Sequence, residues 1–226
     1  MRKPFLGLVQ RREGWRLTWR GRFLSCAVFL GLVVFLGRGL SSFLALNAPI
    51  TADVLVVEGW AQDYALTAAI AEFKQHTYTR LYVTGGPLQT GAPLSEYKTY
   101  AELGAATIGR LGIGGESVQA VPASGIRRDR TYTSALALKD WLREHGVVAR
   151  RMNVISVGPH ARRTRLLFEK AFSGDMKVGM IAIEDQDYDP KHWWRSSAGV
   201  RSVVDELIAY GYVRLFFHPS SEKPLP

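Results

Sequence analysis

The chain has 226 residues and a formal charge of +9, long enough for one packed domain plus an appendage. The charge is uneven: residues 1–46 carry eight Lys/Arg and one acid, Glu13, whereas residues 47–226 carry twenty-one Lys/Arg against nineteen acids. That near-balance excludes a basic nucleic-acid footprint over the main domain, and the single cysteine, Cys26, excludes an intrachain disulfide, a CxxC motif and a thiolate metal cluster.

Seven basic residues between Arg2 and Arg22 precede an apolar run, Phe23 to Gly37. Arg38 interrupts the run, and Leu40 to Leu46 resumes it. As one helix, residues 23–46 would extend about 36 Å, enough for a bilayer core of about 30 Å. Arg38 lies near the far end, where a long side chain can snorkel to the interface. The positive-inside rule then leaves residues 1–22 as a basic cytoplasmic tail. The expectation is a single-pass protein of the cytoplasmic (inner) membrane, N-terminus inside, with the main domain on the periplasmic or outer side. A cleaved signal peptide ending at Ala48 is the rival reading. Leu46 is large for the small-residue position, and a 22-residue basic region is long for a signal peptide.

Residues 47–51, with Pro49, read as a linker to a main domain spanning 52–219; residues 220–226 read as a frayed tail. Within the domain, Asp53–Val57 is a β-branched apolar run that reads as a buried strand. A helix with Leu66, Ala69, Ile70 and Phe73 on one face follows, Asp63 being its expected cap. Arg80–Thr84 is a second strand, closed by Gly85-Gly86-Pro87. Ser95 is the expected cap of a helix running to Leu111, which Gly112 stops. Ser117–Val121 is a third strand. Arg127, Arg128 and Arg130 then precede a helix expected from about Thr133 to His145.

Asn153–Phe172 is the most informative stretch. Val154–Val157 reads as a buried strand ended by Gly158-Pro159, and Thr164, Leu167, Phe168 and Ala171 recur at helical spacing. His160 and Arg163 therefore sit between a strand's carboxyl end and a helix's first turn. Ligands of open α/β sheets bind outside such ends, and a helix N-terminus favours an anion. Arginines there oppose the helix dipole, so helix stability does not explain them. Lys177–Ile183 is a fifth strand. The acidic loop after it lacks the Gly and Glu of a Ca²⁺ loop, so no metal is expected. Residues 198–217 read as a last helix packed on the sheet. Strand and helix alternate five times. That predicts an α/β fold: a Rossmann-like, doubly wound, mainly parallel five-stranded sheet, preceded by one N-terminal transmembrane helix.

The ADVLVVEGW and YVTGG strands, the Thr131 helix start and the GPHARRTRLLFEKAF segment, after a single N-terminal span, resemble the YdcF-like family, in particular its SanA/ElyC-type membrane-anchored members. The resemblance covers roughly residues 52–183. His160 followed by Arg163 is its most specific part, and Gly85, Gly86 and Thr131 match further family positions. Two departures stand out: Glu58-Gly59-Trp60 replaces the family's Gly-rich turn, and Arg130 replaces an Asn. The resemblance implies a Rossmann-like fold and a role in cell-envelope or cell-wall biogenesis.

The expected ligand is a phosphorylated envelope precursor, lipid-linked or nucleotide-like, or another anionic small molecule. Thr84, Gly85, Gly86, Arg127, Arg130, Thr131, Gly158 and Arg163 are the expected ligand-binding residues. His160 and Glu58 are the candidate acid–base pair, since an unperturbed histidine titrates near 6.5. His160 and Arg163 are expected on an exposed first turn, where alanine would change stability by about 0.5 kcal/mol or less. GxSxG, Walker A and HExxH motifs are absent. An enzyme, a non-catalytic anion sensor and a structural envelope protein all remain open from the sequence, and no cofactor is indicated.

Overall fold

β-branched runs buried on both faces dictate a parallel sheet covered by helices. The computed structural model describes residues 9–11, 15–124 and 128–219 and shows this sheet. Its strands are β1 (Val54–Glu58), β2 (Leu81–Gly85), β3 (Val118–Pro122), β4 (Arg151–Val157) and β5 (Lys177–Ile183). All four pairings are parallel, in the order β3-β2-β1-β4-β5. The order reverses between β1 and β4, which is the switch point where such sheets place ligands.

The helices are α1 (Trp19–Leu44), α2 (Asp63–Gln75), α3 (Tyr100–Leu111), α4 (Arg130–Glu144), α5 (His160–Phe172) and α6 (Ser197–Leu215). Alternate residues of each strand face opposite layers. Val54, Val56, Met152 and Val154 pack with Leu138 of α4 and Phe168 of α5. Leu55, Val57, Ile155 and Val157 pack with Leu66 and Ile70 of α2 and Ile108 of α3. The sheet is therefore doubly wound, as the alternation of elements predicts.

Helix ends differ from the sequence reading in three places. Gln62, not Asp63, is the N-cap of α2. Thr99, not Ser95, starts α3, where Thr99 and Glu102 form a reciprocal capping box. α4 begins at Arg130 because Asp129 adopts a left-handed backbone, φ 49°, that turns the arginine-rich segment directly into the helix. α6 packs on α5 and on the turn Pro190–Arg195 rather than on the sheet.

The chain divides into two compact units, Met1–Leu40 and Ser41–Pro226. The first holds an antiparallel ribbon, Val9–Arg11 with Trp15–Leu17, and most of α1. With 26 residues and a mean hydropathy of 2.1 over its most apolar stretch, α1 is long and apolar enough to cross a membrane. Its last turn belongs to the second unit, where Ser41 and Leu44 are buried. Residues 47–51 are not a free linker. Ala48 and Met180 exchange backbone hydrogen bonds at 2.8 and 3.0 Å, and the buried Asn153 amide binds both the N–H and the C=O of Ile50. A polar residue in the middle of β4 is thus satisfied by the segment that covers the edge strand.

Candidate ligand-binding site

Three strand ends and four helices enclose a cavity of about 740 Å³ at the carboxyl edge of the sheet. Glu58 and Val157 reach it from β1 and β4, and Thr84 and Gly85 from β2. Arg130 and Thr131 open α4 onto it, His160 and Arg163 open α5, and Tyr100 opens α3. Ser202, Glu206 and Tyr212 of α6 close the remaining wall.

The expected residues are distributed as follows. Glu58, Thr84, Gly85, Gly86, Arg130, Thr131, His160 and Arg163 all line this one cavity. Gly158 does not. It sits at φ +47°, its N–H is spent on the Ile183 carbonyl, and its role is the turn between β4 and α5. Arg127 lies outside the described residues. Gly85 lines the cavity but is a glycine for a packing reason: a Cβ there would come within 2.8 Å of the Ala101 nitrogen, so α3 could not approach β2.

The floor is an ion-pair chain. Glu58 is 3% exposed; its Oε2 accepts hydrogen bonds from Ser156 at 2.6 Å and Thr164 at 3.1 Å. Its Oε1 lies 3.6 Å from His160 Nε2, a charge contact too long for a hydrogen bond. On the other side of the ring, His160 Nδ1 donates to Glu206 Oε1 at 2.6 Å. Arg163 donates to both oxygens of Glu206, from Nε at 2.8 Å and from Nη2 at 2.9 Å. Nη2 also lies 2.9 Å from His160 Nδ1, because both donors converge on the same Glu206 oxygen. Trp60 meets the His160 ring edge-on at 4.9 Å.

Electrostatics follow from this geometry. Burial opposes charge on His160, but the Glu58 and Glu206 carboxylates outweigh it and raise the pKa to about 9. Burial opposes the Glu206 carboxylate too, yet hydrogen bonds from Arg163 and His160 hold it down to about 2. Glu58 is likewise lowered: burial works against ionisation, and the His160 charge, Ser156 and Trp60 overcome it. His160 is therefore an imidazolium at neutral pH, not the base titrating near 6.5 that its sequence position suggests. Nor is the first turn of α5 exposed. The side chains of His160 and Arg163 are 15% and 19% accessible, so the expectation that alanine is nearly neutral there is corrected.

Several unspent groups border the cavity. Thr84 Oγ1 is buried without a hydrogen-bond partner. Neither α4 nor α5 has a side-chain N-cap, whereas α3 and α6 are capped by Thr99 and Ser196. Their first-turn N–H groups thus lack the usual side-chain acceptor. Arg130 is exposed and, among the described residues, forms no ion pair. Asp185 and Asp205 add acceptors suited to hydroxyl donors.

Sequence reasoning missed Glu206, Ser156 and the polar role of Thr164. Glu206 lies on the buried face of α6 with Val203 and Val213, and an acid on a buried helical face was the available signal. Thr164 had passed as a member of the apolar stripe. Neither a family model nor a curated protein matches this chain.

Proposed function

We propose that this protein is a membrane-anchored binding protein of YdcF-like type, with a role in cell-envelope or cell-wall biogenesis, that holds a phosphorylated ligand, lipid-linked or nucleotide-like, at the carboxyl ends of β1, β2 and β4. The single observation that carries the reading is the convergence of two uncapped helix N-termini, α4 and α5, on one cavity beside the unpartnered Thr84 hydroxyl. Backbone N–H groups and helix dipoles favour an anion at such a place. Arg130 supplies a charge without an ion-pair partner among the described residues, while Arg163 and His160, neutralised by Glu206 and Glu58, fix the shape of the floor. The aromatic wall of Trp60 and the Asp185 and Asp205 carboxylates suit a hydroxylated group attached to the phosphate. His160 contributes position here, because its charge is met by Glu58 and Glu206 and a proton held up to about pH 9 is poorly available for transfer.

The basic flank before Phe23 supports the anchor with its N-terminus in the cytoplasm and the domain outside. The segments GPHARRTRLLFEKAF and YVTGG support the family reading and, through it, the envelope role.

The test is ligand-dependent stabilisation of the full chain in lipid nanodiscs. Inorganic pyrophosphate, a nucleoside diphosphate sugar and a polyprenyl phosphate are the probes. A probe at 100 times its dissociation constant should stabilise by about 2.7 kcal/mol, and Arg130→Gln should weaken that response without lowering the ligand-free melting temperature. No shift with any probe, or a shift indifferent to Arg130, contradicts the proposal. Phosphate release from a probe during the titration would show catalysis instead of binding alone.

A further inference from the structure

The cavity carries more negative charge than positive. Glu58 and Glu206 are answered by His160 and Arg163. Beyond that chain of ion pairs, Asp129, Asp185 and Asp205 line the cavity, and Arg130 is the one further cation among the described residues that do so. None of the three aspartates forms an ion pair among the described residues. Three aspartates against one arginine leave an excess of two negative charges. A phosphate entering alone adds to that excess, whereas a ligand that brings its own cation relieves it.

Water screens Asp129 and Asp205, which are exposed. Asp185 is half-buried. It follows β5 and leans over Gly158, where a Cβ would lie 3.1 Å from the Asp185 Cβ and 3.6 Å from its Oδ2. Oδ1 accepts the Asp187 N–H at 3.0 Å, and Oδ2 accepts no hydrogen bond among the described residues. Burial raises the Asp185 pKa above the ordinary carboxylate value; the Asp187 N–H works against that rise and the Asp187 charge adds to it. A carboxylate oxygen only accepts, so what completes Asp185 is a donor, and a donor that also removes the charge excess is a cation.

The opposite requirement lies two strands away. Thr84 is 1% exposed, lines the cavity, and its Oγ1 has no hydrogen-bond partner. Tyr82, two residues earlier, packs in the layer of α4 and α5, and side chains two apart share a face, so Thr84 faces the layer in which α4 and α5 begin. In the order β2-β1-β4, Thr84 and the end of β4 beneath Asp185 are two strand spacings apart, roughly 10 Å. That leaves room for a ring between an anion at one and a cation at the other. Trp60, which follows the intervening β1, is 40% exposed and lines the cavity, and an indole is the aromatic side chain that suits an ammonium best.

We propose that the cavity takes a phosphate ester whose hydroxylated group carries a free amine, with the phosphate toward Thr84, Arg130 and the first turn of α4 and the ammonium at Asp185. This rests on reading the cavity as a phosphate site.

The test uses the full chain in nanodiscs of phosphatidylglycerol, whose headgroup has no amine. Glucosamine 6-phosphate, glucose 6-phosphate and inorganic pyrophosphate are the soluble probes, and calorimetric titration reads their affinities. The two sugar phosphates differ only by an ammonium against a hydroxyl. Glucosamine 6-phosphate should bind about tenfold more tightly, the worth of one hydrogen bond to a charged group. The double variant Asp185→Asn, Asp205→Asn keeps the shape of both side chains. It should weaken the amine probe about tenfold and tighten glucose 6-phosphate, because losing the carboxylates deprives a cation and relieves an anion. Aspartates that serve only the fold would move both probes in the same direction, and that result overturns the inference. Equal affinity of the sugar phosphates for the unaltered chain, or a preference that survives in the variant, overturns it as well. Binding of inorganic pyrophosphate alone overturns it and leaves the phosphate reading standing; binding of no phosphate probe sinks that reading itself. Adding phosphatidylethanolamine to the nanodiscs locates the source. A rise in ligand-free melting temperature that the variant loses assigns the amine-bearing phosphate to a lipid headgroup. No rise, with the preference for glucosamine 6-phosphate present, assigns it to a soluble ligand.

Discussion

His160 stands between two carboxylates, Glu58 and Glu206, each of which reaches a different ring nitrogen. Its folded pKa of about 9 lies above the ordinary histidine value of 6.5. Such a group adds stability that is complete below pH 6.5 and is lost as pH rises through 9. Glu206, lowered to about 2 from 4.5, adds stability that is complete above 4.5 and is lost as pH falls toward 2. The melting temperature should therefore be highest between these limits. The alkaline loss attributable to His160 is on the order of 3 kcal/mol at 1.36 kcal/mol per pH unit. His160→Gln should flatten the alkaline limb in thermal melts run from pH 6 to pH 10. His160→Ala leaves Glu58 buried without its cation and should cost roughly 3–5 kcal/mol. An unchanged alkaline limb in the glutamine variant would show that the ion-pair chain does not set it.

At the scale of elements, two adjacent glycines make a sharp comparison. Gly85 faces α3, and a Cβ there would lie within 2.8 Å of both the Ala101 nitrogen and the Tyr100 Cβ. Gly86 faces open space, its nearest neighbour being the Ala123 carbonyl at 3.9 Å. Gly85→Ala should cost about 1–3 kcal/mol by overpacking, and Gly86→Ala should stay within about 0.5 kcal/mol. Chemical denaturation midpoints of the two variants decide it, and equal midpoints would refute the close approach of α3 to β2. The sequence reading treated the pair alike because local pattern reveals that a glycine is present, not which neighbour requires it. The same limit holds elsewhere in the chain. Strand identity and the alternation of helices were legible, since burial on both faces writes itself into runs such as VLVVE and NVISV. Glu206 pairs across 43 and 46 positions with Arg163 and His160, and no periodicity connects residues so distant. The Asp129 turn hid the true start of α4, because three arginines around it read as a solvated loop.

For the whole molecule, one order of elements produces both the fold and the place of the site. The reversal between β1 and β4 opens the cavity, α4 and α5 aim their N-termini into it, and α6 covers its side. The central claim is that polar groups around this cavity are left unsatisfied by the fold because a ligand satisfies them. Thr84 Oγ1 tests that most directly, being buried with no hydrogen-bond partner. A buried, unpaired hydroxyl costs about 1–3 kcal/mol, so an isosteric apolar replacement should be neutral or stabilising. Thr84→Val in the full chain should keep or raise the ligand-free melting temperature. In the same samples it should weaken binding of the phosphorylated probe that stabilises the unaltered chain, by about tenfold for a lost hydrogen bond to a charged group. A lowered melting temperature with unchanged affinity would make Thr84 a part of the fold alone and contradict the account.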